Sequence, residues 1–176
     1  MILKYSLVVW GLLCFISAFS QEAFLLSKKE KKEVSRVFSD EVTVEHVPLP
    51  VGYYSGDGHL KEGDQLFRIQ EHGKQAGYLL STRAKGRYDY YDYAVIYSPE
   101  NEVLSLFVTV YRSTHGAAIC QKKWLGQFIG YSGGDLALGK DVDAVSGGTL
   151  SAQSMVEDMS RCYQLMIQLT SEGILE

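Results

Sequence analysis

The sequence lacks an excess of basic residues. Its 17 lysines and arginines stand against 21 aspartates and glutamates, a formal net charge of −4. A basic excess or stripe is the usual electrostatic mark of a nucleic-acid-binding protein, so the composition argues against a nucleic-acid partner. The sequence also lacks the low hydrophobicity of disordered chains, because 46% of its residues are hydrophobic. We therefore expect a folded chain with a buried core.

Cysteine and histidine are scarce. Two of the three cysteines, Cys120 and Cys162, lie beyond the first 20 positions. Two thiols can pair in an oxidising compartment, but a sequence does not show whether they are close enough to do so. The four histidines are scattered, and we expect each to be a surface or packing residue: His46, His59, His72 and His115. This pattern predicts no metal site.

Long apolar runs are lacking except at the N-terminus. Lys4 precedes an apolar stretch over 6–19, and Ala18 and Ser20 place small residues at −3 and −1 of a cut before Gln21. This is the layout of a secretory signal peptide. The stretch is shorter than the roughly 20 residues that a bilayer-spanning helix needs. We predict a cleaved signal over 1–20, a single domain over 21–176 and a periplasmic or secreted location, with an uncleaved membrane anchor as the alternative.

The middle of the chain has the pattern of an antiparallel sheet. Residues 51–97 are strand-like, with turns expected at 56–58, 62–64 and 72–73. The apolar stretch 103–110 predicts a central strand buried on both faces. The simplest assembly is a meander of about four strands. The tyrosines of 88–97 predict an amphipathic strand with surface hydroxyls, and a stacking platform for a planar ligand is the alternative.

Helices are predicted on either side of the sheet. Ser27 is expected to cap a short helix whose apolar face is Val34, Val37 and Phe38. The lysines of 28–33 could contact anionic lipid head groups, but the interleaved glutamates favour a solvated helix face. A second short helix is expected around 121–128. A C-terminal amphipathic helix is expected to begin near Ser151 and end at Gly173, with this apolar stripe: Met155, Val156, Met159, Cys162, Tyr163, Met166 and Ile167. The predicted fold class is α+β.

The segment 143–151 (DAVSGGTLS) carries the most chemical information. It joins a glycine-rich loop to the start of the C-terminal helix. The first N–H groups of a helix lack internal partners and the helix dipole is positive there, so this segment can bind an anion such as phosphate. Gly147 and Gly148 allow close backbone approach, and Ser146, Thr149 and Ser151 add hydroxyls. An ordinary helix cap has the same composition and is the alternative.

The same segment resembles the flavinylation motif of the FMN-binding domain family, D-x-x-[ST]-G-A-[ST]-x-[ST]. That family includes the C subunit of the sodium-pumping NADH:quinone oxidoreductase and the G subunit of the Rnf electron-transport complex. Gly148 stands where alanine is usual. Residues 108–130 are similar to the family's strand, loop and helix, although Tyr111–Gly116 replaces the usual E-T-P-G-L-G loop. The resemblance covers about residues 65–170.

The resemblance implies an FMN-binding-domain-like α+β fold, with FMN joined to Thr149 by a phosphoester that a flavin transferase makes. The residues implied at the cofactor site are Thr149, Ser146, Gly147, Gly148, Leu150, Ser151, Asp143 and His115. Trp124 and Tyr131 are further candidates near the ring, by proximity in sequence.

The implied function is electron transfer outside the cytoplasm, by a redox carrier rather than an enzyme on its own. Its implied partners are a membrane reductase and an extracytoplasmic acceptor, with membrane association of the carrier left open. Two alternatives stay open: a non-covalent FMN or nucleotide binder, and a cofactor-free scaffold or adhesion domain of the same fold.

Overall fold

The computed structural model of the protein describes residues 25–49 and 59–175. The predicted signal peptide and the predicted turn at 56–58 lie outside the described residues. The helices are α1 (Lys28–Val37), α2 (Lys122–Leu125) and α3 (Thr149–Ser171), with short 3₁₀ turns at Ala117–Cys120 and Gly126–Phe128. The strands are β1 (Val42–Val47), β2 (Gln65–Glu71), β3 (Lys74–Lys85), β4 (Tyr90–Tyr97) and β5 (Val103–Val110).

The strands form one antiparallel sheet in the order β1-β2-β3-β4-β5. The register of β3 on β4 pairs Leu80 with Val95, and that of β4 on β5 pairs Val95 with Leu106. This arrangement confirms the predicted α+β class, the meander and the turns at 62–64 and 72–73. The meander has one strand more than expected, because β1 was not predicted.

Each face of the sheet carries its own apolar cluster. One cluster joins the sheet to α3, with Met155, Met159 and Leu165 fully buried. The other joins the opposite face to α1 through Val34 and Val37. Because residues alternate between the two faces along a strand, the sheet forms the middle layer between two helices.

The prediction that 103–110 is a central strand is wrong. β5 is the last strand of the sheet, yet both of its faces are covered: Val108 packs in the α3 cluster and Phe107 in the α1 cluster. Its free edge is partly paired as well, since Val103 exchanges backbone hydrogen bonds of 2.9 Å with Gly130 and Tyr131. An unbroken apolar pattern indicates that both faces of a strand are buried. An edge strand that has a helix packed on each face shows the same pattern as a central strand.

The expectation of surface hydroxyls in the tyrosine-rich strand is wrong for Tyr91, Tyr93 and Tyr97. Tyr91, Tyr93 and Tyr97 are each no more than 1% exposed and belong to the α3 cluster, while Tyr88 and Tyr90 lie at the surface. The buried rings supply core volume, and two of their hydroxyls find partners on α3, namely the Ser151 carbonyl and the Asp158 carboxylate.

Both predicted flanking helices are confirmed, with corrections to their details. Ser27 and Glu30 form a capping box at the start of α1. α3 begins at Thr149, two residues before the expected start. Ile167 of its predicted stripe is 39% exposed, and Leu165 and Leu169 are core residues instead.

Candidate functional site

The candidate site is the N-terminus of α3. Thr149 is the first helical residue and Gly148 is the N-cap, so no side chain caps the helix, and the first turn holds no acidic residue. The first N–H groups of a helix have no intrahelical acceptors, and the dipole of a 23-residue helix is positive at this end. The helix therefore presents free donors and a positive potential.

Thr149 lies at the surface of this helix end. Its hydroxyl donates a hydrogen bond of 3.3 Å to the carbonyl of Val145, which holds the side chain against the preceding turn. Ser146 and Gly147 are exposed, and Leu150 is 59% exposed. Thr149 is thus an exposed residue, and its hydroxyl bonds to a carbonyl that a new bond at this oxygen would release.

The two glycines before Thr149 are needed for different reasons, one for its backbone conformation and the other for close packing. Gly147 has φ +71°, a left-handed conformation that favours glycine. Gly148 has an ordinary φ, but a Cβ on it would lie 3.2 Å from Gly116 Cα and 3.0 Å from Val145 Cγ1. Gly148 therefore permits the loop that ends at Gly116 to approach the α3 N-terminus.

The 111–116 loop closes one side of the site. The Tyr111 hydroxyl donates to the His115 carbonyl at 2.7 Å and lies 3.2 Å from Ser151 Oγ. The His115 ring packs at 6.1 Å on Tyr88, which is 70% exposed in the β3–β4 hairpin. The same hairpin approaches Ser151 at Gly86, where a Cβ would lie 3.3 Å from Ser151 Oγ. The 111–116 loop, the segment 143–148 and the hairpin thus converge at the start of α3.

Asp143 is held through its backbone. The indole N–H of Trp124 donates to its carbonyl at 2.8 Å, and its own N–H donates to Gln127 Oε1 at 2.9 Å. Trp124 is 6% exposed, so this buried side chain positions the backbone of Asp143, the first residue of the motif. The side chain of Asp143 is exposed at the surface.

The structure brings most of the predicted site residues together. Residues 146–151 are contiguous at the α3 N-terminus, and His115 belongs to the loop that packs on Gly148. Tyr131 is elsewhere: its ring packs at 5.6 Å on Tyr163, which lies about 21 Å along the helix axis from Thr149 at 1.5 Å per residue. The proposed nearness of Tyr131 to a ring at Thr149 therefore has no support in the fold.

A buried polar network on the inner side of α3 was missed in the sequence. Arg161 of α3 contacts Asp158 at 2.6 Å and Asp64 at 2.8 Å, and it also donates to the hydroxyl of Thr82 at 2.9 Å. Lys61 pairs with Asp158 as well. Asp158 and Arg161 interrupt the apolar stripe of α3. Charged residues on an apolar helix face are the sequence signal that could have revealed this network.

The network controls the charge states of its members. Burial raises the pKa of the Asp158 carboxyl, but the hydrogen bonds and charges of Arg161 and Lys61 outweigh it and leave the pKa below the ordinary value of 3.8. Burial, more than any other cause, raises the pKa of the Cys162 thiol to about 12. Cys162 and Cys120 are free thiols, and burial also raises the pKa of Cys120.

The geometry of this fold can be compared with that of solved structures. The fold is similar to that of Shewanella oneidensis NqrC. The superposition gives a TM-score of 0.54 at 14% sequence identity and covers 82% of this chain and 87% of that chain. No protein-family model matches the sequence, and no curated protein matches it. The likeness to NqrC therefore concerns the fold.

The part of the chain that the structure describes lacks two further classes of feature. Residues 25–49 and 59–175 contain no group of three or more His, Cys, Asp and Glu side chains arranged to hold a metal ion. Within the same residues, no helix combines the length and apolar character needed to cross a membrane.

Proposed function

We propose that the protein is an extracytoplasmic electron-transfer flavoprotein that carries FMN through a phosphoester to Thr149. The observation that carries the proposal is the exposed residue Thr149 at the uncapped N-terminus of α3, in a fold similar to that of NqrC. NqrC is the C subunit of the sodium-pumping oxidoreductase whose motif the segment 143–151 resembles. Fold and motif therefore favour the same cofactor from separate observations.

The residues present fit a phosphate group. A phosphodiester at Thr149 keeps one negative charge, and the N–H groups and dipole of the first turn of α3 stabilise a charge at that position. Ser146 adds an exposed hydroxyl, and no carboxylate lies in the first turn to repel the phosphate. Ester formation uses the oxygen of Thr149, so the chain gains one FMN and loses one water.

The surroundings of Thr149 also offer contacts for a planar ring. Tyr88 and Leu150 are exposed large side chains there, and His115 packs on Tyr88. The Nδ1 atom of His115 lies 3.0 Å from the hydroxyl of Thr114, which fixes the orientation of the imidazole. FMN supplies one- and two-electron redox chemistry when bound, and the protein sets the position and potential of its ring.

The proposed role is that of a carrier. A covalent tether keeps a cofactor on a protein that works outside the cytoplasm, where a dissociated cofactor would be diluted. A flavin transferase would load the protein, a membrane reductase would reduce it, and an extracytoplasmic acceptor would oxidise it. The predicted signal peptide over 1–20 supports this location.

Acid precipitation tests the covalent bond. We expect protein co-expressed with a flavin transferase to keep its flavin absorbance after precipitation and washing. Thr149→Ser should also keep it, because the hydroxyl is retained, whereas Thr149→Ala should lose it completely. Ser146→Ala serves as the matched control at a neighbouring hydroxyl and should keep at least part of the colour.

The outcomes separate the alternatives. Flavin that washes away from the wild-type protein would favour a non-covalent binder. A protein that stays colourless before precipitation would favour a cofactor-free scaffold. Acid-stable flavin on Thr149→Ala would place the bond at another residue and overturn the assignment of Thr149.

A further inference from the structure

The charges of α1 are sorted between its two faces. Glu30 and Glu33 are buried, at 8% and 6% exposed. Glu30 accepts hydrogen bonds from the Ser81 hydroxyl at 2.5 Å and from the Ser27 N–H at 2.6 Å. Glu33 pairs with Arg36. The glutamates that interleave with lysines in the sequence therefore do not interleave with them at the surface.

The outer side of α1 carries unpaired lysines. Lys28, Lys31 and Lys32 are exposed and have no hydrogen bond or ion pair within residues 25–49 and 59–175. Their spacing of i, i+3 and i+4 places them on one stripe of the helix, which we call the lysine face. Lys29 differs from them, because its ammonium donates to the Val108 carbonyl of β5. The lysine face is thus a cationic surface on a chain whose net charge is −4.

An apolar side chain lies beside the lysine face. Leu25, three residues before Lys28, is 76% exposed and is the most exposed of the large hydrophobic residues described. The apolar stretch 6–19 precedes it closely in the sequence. Lysines next to exposed apolar side chains are the combination that binds the interface of an anionic bilayer, where the cations contact head groups and the apolar side chain enters the acyl boundary.

We propose that the lysine face docks the protein on an anionic lipid surface. The charge is complementary, and the helix is held on the sheet by the packing of Val34 and by the hydrogen bond from Ser81 to Glu30. Leu25 supplies an apolar contact that favours a lipid surface over a nucleic acid. Because the docking depends on Leu25 and α1, it does not depend on the flavin at Thr149. It would keep the carrier at the surface from which a membrane reductase works.

Vesicle co-sedimentation of the chain from Gln21 onward tests the proposal. The described members of both apolar clusters lie between Leu26 and Leu175, so the chain from Gln21 onward contains them all. We expect binding to vesicles of equimolar phosphatidylglycerol and phosphatidylcholine, and none to phosphatidylcholine alone. Binding should be lost at about 1 M salt, where the Debye length falls to about 3 Å.

Matched triple variants identify the surface. Each lysine near an anionic membrane contributes a factor of about five in the partition coefficient, so Lys28→Gln/Lys31→Gln/Lys32→Gln should lower it about 100-fold. The control Lys122→Gln/Lys123→Gln/Lys140→Gln removes three exposed lysines elsewhere with the same change in net charge and should bind within a few-fold of wild type. Leu25→Ser should weaken binding to anionic vesicles with no change in net charge.

Three results would overturn the proposal. The first is equal vesicle binding by wild type and the lysine-face variant. The second is an equal loss in both triple variants, which would reflect net charge alone. The third is no vesicle binding by wild type together with tight binding to heparin, which would make the lysine face a polyanion-binding surface instead.

Discussion

Gly116 and Gly148 allow two loops to pack closely at the candidate site, because neither residue has a side chain. Gly116 ends the 111–116 loop in a left-handed conformation with φ +80°, and its Cα would lie 3.2 Å from a Cβ built on Gly148. A methyl group on Gly148 would fit only if Val145 or the Gly116 backbone shifted by a few tenths of an ångström. The alanine usual at this position of the resembled motif therefore does not fit here without movement, and Gly148 belongs to the packing of this chain.

Gly148→Ala is accordingly expected to destabilise the protein. Inserting a methyl group into a packed contact costs about 1–3 kcal/mol, which chemical denaturation would detect as a lower midpoint with an unchanged slope. Gly126→Ala is the control, because its φ is −62° and a Cβ there meets nothing within 4 Å. Equal stability of Gly148→Ala and wild type would contradict the packing role of this glycine.

Tyr97 presents a different single-residue feature. Its ring is fully buried, and its hydroxyl has no hydrogen-bond partner among the described residues. The neighbouring Tyr93 hydroxyl, in contrast, donates to Asp158 at 2.8 Å. A buried polar group without a partner costs free energy, whereas one bonded to a charged group contributes about 1.5–3 kcal/mol.

The two tyrosines should therefore respond oppositely to loss of the hydroxyl. We expect Tyr97→Phe to leave the free energy of unfolding unchanged or raise it by up to about 1 kcal/mol, and Tyr93→Phe to lower it by about 1.5–3 kcal/mol. Thermal or urea unfolding of the pair measures both. A destabilised Tyr97→Phe with an unaffected Tyr93→Phe would show that the polar contacts of this core are assigned wrongly.

At the scale of elements, α3 joins the site to the core. It begins at Thr149, and Asp158 and Arg161 on its inner side bind Lys61 and Asp64 from the segment before β2. Removing one member of a buried ion pair leaves an uncompensated charge and typically costs 3–5 kcal/mol. The network thus fixes α3 against the sheet through charge as well as apolar packing.

Arg161→Ala should lower the free energy of unfolding by about 3–5 kcal/mol at neutral pH. The pKa of Asp158 in the folded protein is below 3.8, so its contribution is fully present above that pH and is lost as the pH falls through the folded value. The stabilities of wild type and variant should therefore converge in acid.

Urea unfolding of both proteins across a pH series gives this difference directly. Arg83→Ala is the control, because Arg83 is exposed and has no ion pair within the described chain, and a surface change of this kind usually costs within about 0.5 kcal/mol. A stability gap for Arg161→Ala that stays constant or widens toward low pH would contradict the pairing.

How far the sequence predicted these elements depended on the strength of their patterns. The C-terminal helix and the strand at 103–110 have strong apolar patterns, and both exist close to the expected bounds. β1 was missed because an edge strand such as 42–47 alternates valine with threonine, glutamate and histidine and resembles a polar loop. The central position of β5 was predicted wrongly, because an apolar pattern reports covered faces and not the number of neighbouring strands.

At the scale of the whole molecule, the sheet separates two surfaces. One face carries α3, whose N-terminus is the proposed flavin site, and the other carries α1 with its lysine face. The segment 143–151 could be recognised from sequence because helix-start chemistry is local. The sequence did not show that His115, Gly116 and the β3–β4 hairpin converge on that segment. It also did not show that Glu30 and Glu33 are buried. Both findings required the tertiary structure.

A covalent flavin at Thr149 is tested most sharply by the intact mass of the protein from Gln21 onward, co-expressed with a flavin transferase, beside its Thr149→Ala variant. The wild-type chain alone should gain the mass of one FMN less one water, and the modified peptide should contain Thr149. The same gain in Thr149→Ala, or no gain in the wild type, would contradict a covalent flavin at the N-terminus of α3.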